Sequence, residues 1–133
     1  MTSKVTYLGE LRTSSVHLQS GTEILSDAPT DNHGRGEAFS PTDLLANALG
    51  SCMVSIMAIK SKDLNVDLEG STVEVTKIMQ AEPRKIAKIV IVMNMSVPAD
   101  EKTRTILERA AMHCPVLLSL HPDIEKEVSF NWK

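Results

Sequence analysis

Aromatic residues are scarce in this sequence. Tyr7, Phe39, Phe130 and Trp132 are the full set, 3% of 133 residues, against seven methionines. Any core must therefore be aliphatic and rich in thioethers, which pack adaptably. Cysteine is scarcer still, with only Cys52 and Cys114. Two are too few for a disulfide scaffold, and a chain of this length can build a core without one. Positive charge is not in excess: 14 Lys and Arg stand against 17 Asp and Glu, a formal net charge of -3. Nucleic acid binding, which needs a clustered basic footprint, is not expected. The start, Met1-Thr2-Ser3-Lys4-Val5, has no apolar secretory segment, so the expected compartment is the reducing cytoplasm.

What is present fits an ordinary globular chain: 42% hydrophobic and 23% charged residues. The length matches one domain over residues 1–133, and no repeat, linker or low-complexity tract divides it. The first third reads as two or three antiparallel strands. Val5 to Thr13 and Val16 to Leu18 are β-prone, and Thr22 to Leu25 follows a Ser20-Gly21 turn signal. A loop rich in Asp, Pro, Asn and Gly then runs from Asp27 to Phe39.

Ser40-Pro41-Thr42-Asp43 reads as a helix start, with Ser at the N-cap, Pro at N1 and an acid at N3. The 16 residues from Leu44 to Ile59 carry no charge. Leu45, Ala48, Leu49, Cys52, Ile56 and Ile59 are expected on one face, with Met53, Val54 and Met57 making the other sides apolar. The stretch is short of the roughly 18–20 residues that span a bilayer, so a buried core helix is expected and no membrane. Gly50 in its middle costs about 1 kcal/mol relative to Ala, which close approach of another backbone would repay.

Past Asp63, Val66 to Lys77 alternates as a strand, and Ala87 to Val97 is a second. Glu82-Pro83-Arg84 joins them as a hairpin. Pro98-Ala99-Asp100 opens a helix to about His113, with Ile106, Leu107, Ala110 and Ala111 inward. Pro115 to Leu120 reads as a short helix capped by Cys114, and Glu127 to Trp132 as a last strand. The expected class is α+β, with mainly antiparallel sheets around a long buried helix.

From composition alone, either cysteine reads first as a small buried hydrophobe. Spacing does not favour zinc: there is no Cys-x-x-Cys, and His17, His33, His113 and His121 show no i, i+4 pairing. His113 beside Cys114 leaves a metal site of Cys52, Cys114 and His113 as a minor option. For thiolate chemistry, Cys52 lies too far along its helix to use the dipole, so a cation must come from elsewhere. Arg12 and Arg35 are the candidates. Cys114, near a helix C-terminus, suits a resolving thiol better than an attacking one.

The run Phe39-Ser40-Pro41-Thr42-Asp43-Leu44-Leu45-Ala46-Asn47-Ala48-Leu49-Gly50-Ser51-Cys52-Met53 resembles the first signature of the OsmC/Ohr family, the osmotically inducible and organic hydroperoxide resistance proteins. Met112-His113-Cys114-Pro115-Val116, followed by Ser119-Leu120, resembles the second, and the element order fits nearly the whole chain. The resemblance implies an OsmC-like fold and an intertwined homodimer with its sites at the interface. It implies a thiol peroxidase without cofactor or metal. Cys52 would attack an organic hydroperoxide to give a sulfenic acid, and Cys114 would resolve it to a disulfide. A dithiol reductant, such as a dihydrolipoyl group, would reset the pair.

The resemblance also implies an activating arginine from the N-terminal strands, where Arg12 matches best and Arg35 is the rival. It places an acid nine residues before the first cysteine, where this chain has Asp43 in place of the usual Glu. Asp43 lies roughly 13 Å along the helix axis from Cys52, so any role runs through the arginine or across a dimer. Its other reading is a helix cap. His113 reads as a proton donor or as a helix-end cation. With so few aromatics, the chain resembles the OsmC-like branch more than the organic-hydroperoxide branch, and its pocket is expected to use Met, Leu and Phe39. A second reading of function is a non-catalytic, redox-responsive or ligand-binding dimer of the same fold.

Overall fold

The three N-terminal strands form one antiparallel sheet in the order β1-β2-β3: β1 (Ser3–Gly9), β2 (Arg12–His17) and β3 (Glu23–Asp27). The computed structural model describes all residues, 1–133. Val5 to Thr13 is not one strand, because the chain reverses at Glu10-Leu11. Both residues take left-handed φ, 52° and 62°, the requirement of a two-residue hairpin turn that matches strand twist. Glycine or Asn usually fills such positions, so a leucine there is strained. Register places Arg12 opposite Asp27 on the neighbouring strand. A short 3-10 turn over Thr30–Asn32 follows.

Ser40 starts the long helix α1 (Pro41–Lys62) as the sequence indicates. The Asp43 N–H donates to Ser40 Oγ at 3.0 Å, and the Ser40 N–H donates to Asp43 Oδ2 at 3.0 Å. This is a capping box, with Asp where Glu is usual. The buried residues of α1 are Ala46, Leu49, Gly50, Met53, Met57 and Ser61. Of the expected stripe of Leu45, Ala48, Leu49, Cys52, Ile56 and Ile59, Leu49 is buried and Cys52 and Ile56 pack partly buried against the core, while Leu45 and Ile59 face outward. Leu45 is 43% exposed and Ile59 64%. A helix apolar on nearly every side gives periodicity nothing to discriminate. With 22 residues and mean hydropathy 1.5, α1 is long and apolar enough to cross a membrane by length and composition.

Backbone contacts divide the chain into two units, residues 1–45 and 46–133. The second contains the sheet β4-β5-β6: β4 (Thr72–Gln80), β5 (Lys85–Asn94) and β6 (Glu125–Asn131). β4 and β5 are the expected antiparallel hairpin. β6 lies parallel to β5. A parallel return needs a long crossover, supplied by α2 (Glu101–Ala111) and α3 (Pro115–Ser119). β4 begins at Thr72 rather than Val66. Asp67 Oδ1 accepts the Glu69 N–H at 2.9 Å, and Gly70 follows at φ 88°, so a turn replaces the first half of the expected strand.

The core of this unit is aliphatic and methionine-rich: Leu49, Met53 and Met57 from α1, Ile89, Ile91 and Met93 from β5, and Leu107 from α2 are all fully buried. Gly50 sits where α1 meets the sheet. A Cβ there would lie 2.8 Å from Val75 Cγ2 and 3.1 Å from Val73 Cγ1. The close approach is real, but the neighbours are strand side chains, not another backbone. Asp100 caps α2 by accepting the Thr103 N–H at 2.8 Å, which holds its carboxyl below the usual range.

Candidate functional site

The two cysteines, 62 positions apart in sequence, lie in side-chain contact within residues 46–133. Cys52 comes from the fourth turn of α1 and is half-buried. Cys114 is fully buried at the N-cap of α3, where its Sγ accepts the Leu117 N–H at 3.4 Å. Both are free thiols. Burial is the main force on the Cys114 thiol and pushes its pKa up; the Leu117 N–H opposes this, and the neighbouring Cys52 adds to the rise. At neutral pH Cys114 is therefore a neutral S–H beside a more accessible sulfur.

Arg12 is placed by β2, within residues 1–45. Its Nε donates to Asp27 Oδ1 at 2.7 Å and its Nη2 to Asp27 Oδ2 at 2.8 Å, a bidentate fork. Nη2 also reaches Glu37 Oε2 at 3.2 Å. Asp27 is 1% exposed, and the guanidinium holds its carboxyl below the usual range. The pairing raises Arg12 in turn, first through the Asp27 hydrogen bond. Sequence reasoning missed Asp27 and Glu37. Asp27 stood at the edge of a turn-rich loop, and only strand register sets it across from Arg12.

Arg35 pairs with Glu10. Asp43 closes the capping box of α1, so its cap reading describes its observed hydrogen bonds. His113 Nδ1 lies 2.8 Å from the Arg109 carbonyl, a bond at the end of α2. No cluster of three or more His, Cys, Asp or Glu side chains is arranged to hold a metal ion, so the Cys52, Cys114 and His113 set has no geometric support. Phe39 is 55% exposed.

Two cavities lie within residues 46–133. One of about 530 Å³ has Val54, Ala58, Val66 and Leu68 in its wall. The other, about 410 Å³, is lined by Lys60, Ile106, Arg109, Ala110 and His113. Neither is lined by a cysteine.

The sequence matches the family described as OsmC-like protein over residues 34–129. A solved protein from Psychrobacter arcticus 273-4, described provisionally as an osmotic stress induced and detoxification response protein, is 52% identical. That match has a TM-score of 0.95 and covers 98% of this chain and 96% of the other. The organic hydroperoxide resistance protein OsmC of Legionella pneumophila shares the fold at 17% identity and a TM-score of 0.73, over 98% and 97% of the two chains. OhrB of Bacillus subtilis, an organic hydroperoxide resistance protein, does so at 17% and 0.67, over 98% of each. No curated protein matches the sequence. With its family match spanning most of the chain and a relative identical at half its positions, this protein belongs to the OsmC-like family.

Proposed function

We propose that this chain is a cysteine peroxidase that reduces organic hydroperoxides in oxidative or osmotic stress defence in the cytoplasm. The contact between Cys52 and Cys114 carries the reading. The half-buried Cys52 is the attacking group, and the buried, protonated Cys114 waits as the resolving group. In the proposed reaction the Cys52 thiolate attacks the terminal peroxide oxygen, the O–O bond breaks, and the alkoxide leaves as the alcohol after taking a proton. Cys52 becomes a sulfenic acid. The Cys114 sulfur then bonds to the Cys52 sulfur, and water leaves. A dithiol reductant, of lipoyl type, returns both thiols by exchange.

Arg12 is the proposed activating cation, with Asp27 and Glu37 holding its guanidinium. Asp43 contributes by fixing the start of the helix that carries Cys52. The working form is a homodimer in which residues 1–133 act as one domain. Val5, Tyr7, Leu8, Ile24 and Leu25 are exposed on β1 and β3, as are Leu45 and Ile59 on α1, apolar side chains that a second copy would cover. A second copy suits α1 better than a bilayer does, because exposed Asn47, Ser51 and Ser55 would meet lipid. The test is peroxide consumption. Cys52→Ser abolishes turnover of cumene hydroperoxide, and Cys114→Ser allows one oxidation per chain. Consumption by Cys52→Ser at the wild-type rate would sink the reading.

One observation favours a second reading, a non-catalytic redox-responsive dimer. The Arg12 charge is already met by two carboxylates. A measured Cys52 pKa near the ordinary value of about 8.5 supports that reading, and a depressed one supports the peroxidase.

A further inference from the structure

Several basic side chains of this protein have a settled anchor. Arg12 pairs with Asp27 and Glu37, Arg35 with Glu10, and Lys88 with Glu127. Arg104 donates to the Ala99 carbonyl at 2.7 Å, and its guanidinium lies 5.8 Å from the Trp132 ring centroid. Lys60 and Arg109, like Lys4, Lys62 and Lys85, have no such anchor. Neither side chain has an ion-pair or hydrogen-bond partner, yet both line the cavity of about 410 Å³ with Ile106, Ala110 and His113. That volume falls in the range of small-molecule pockets, with the cavity widely open to solvent. No acidic residue lines it, although the chain as a whole is negative.

Helix ends account for part of this. Lys60 is in the last turn of α1 and Arg109 in the last turn of α2, where cations complement the macrodipole. The dipole explains each residue alone, not their meeting in one cavity. Two helix ends contribute about -0.5 each, so two full positive charges leave the cavity positive even with His113 neutral. His113 adds a fixed orientation. The Arg109 carbonyl only accepts, so Nδ1 carries the hydrogen.

We propose that this cavity binds a small organic anion, a carboxylate or phosphate on a short apolar stem. Arg109 offers a planar fork that fits either head, Lys60 adds a point charge, and Ile106 and Ala110 supply the apolar wall for the stem. The site draws on no thiol chemistry, so it stands or falls apart from the peroxidase reading.

Isothermal titration calorimetry on the full-length reduced protein tests it, with octanoate, octyl phosphate and uncharged octanol as probes. At least one anionic probe should bind saturably and more tightly than octanol, and its affinity should fall as sodium chloride is raised. The tighter of the two anions identifies the head group. Lys60→Gln and Arg109→Gln should each weaken that anion roughly tenfold, the loss of one charge-assisted hydrogen bond. Both positions are exposed on helices and Gln keeps helix propensity, so circular dichroism should be unchanged. The proposal is overturned if neither anion binds, if octanol binds as well, or if wild-type affinity ignores salt. Undiminished binding by the double variant overturns it too. The salt and octanol comparisons use only wild-type protein, so they decide even if a variant fails to fold.

Discussion

Asp27 and Arg12 face each other across β3 and β2 and close a bidentate ion pair, with the carboxylate almost wholly buried. Removing the buried carboxylate leaves Arg12 with only the exposed Glu37 to meet its charge. Asp27→Asn should therefore lower the melting temperature at neutral pH. The sign with pH follows from the depressed Asp27 pKa. The stabilisation is present above the unfolded value of about 3.9 and is lost as pH falls through the lower folded value. The gap in melting temperature between wild type and Asp27→Asn should stay constant from neutral pH to about 5 and close in stronger acid. A gap that persists below pH 2 would show that shape, not charge, holds the strands.

The two thiols should differ in reactivity. Cys114 is buried and its pKa is raised, so little thiolate forms there at neutral pH. Brief iodoacetamide treatment of the reduced native protein should label Cys52 at least about tenfold faster than Cys114, read by peptide mass spectrometry. Faster labelling of Cys114 would reverse the assignment of attacking and resolving sulfurs. Linkage adds a second expectation. A raised folded pKa means the neutral thiol stabilises the fold at neutral pH, and this is lost as pH rises through the folded value, so Cys114→Ala should flatten the alkaline side of the stability profile.

Gly50→Ala sets two effects against each other. Helix propensity gains about 1 kcal/mol. Overpacking against Val75 and Val73 costs about 1–3 kcal/mol, since a valine methyl has no flexible end to swing away. A net loss of about 1 kcal/mol is expected in urea denaturation. A more stable variant would mean that the sheet yields at little cost.

Asp43→Ala removes one half of the capping box and should cost about 1 kcal/mol. Asp43→Glu should keep the cap, because Glu is the usual residue at that position. If Asp43→Glu proves as unstable as Asp43→Ala, the cap is not what Asp43 supplies.

The parts of the fold written in local chemistry were legible in the sequence. Ser40, Pro41 and Asp43 mark the start of α1, Asp100 the start of α2, and Cys114 the cap of α3. The β4-β5 hairpin was clear because Thr72, Val73, Glu74 and Val75 alternate. Features set by non-local geometry were not. The buried side of α1 could not be picked out, because Met53 and Met57 were no more apolar than Leu45 and Ile59. The parallel placement of β6 depends on the crossover, and its own residues do not state it. Both cysteines stand out through their motifs, whereas Asp27 carries no local signal beyond its composition.

The methionine-rich interior decides where an oxidant could act on this protein. Met53, Met57 and Met93 are wholly enclosed, while Met112, two positions before Cys114, is 39% exposed. A thioether reacts with peroxide only where the oxidant can reach it, and the sulfoxide is polar and unsuited to a core. Packing therefore divides these sulfurs into shielded and sacrificial sets. A sulfoxide at Met112 records exposure of the native protein, whereas one at Met53 records a chain that had already opened.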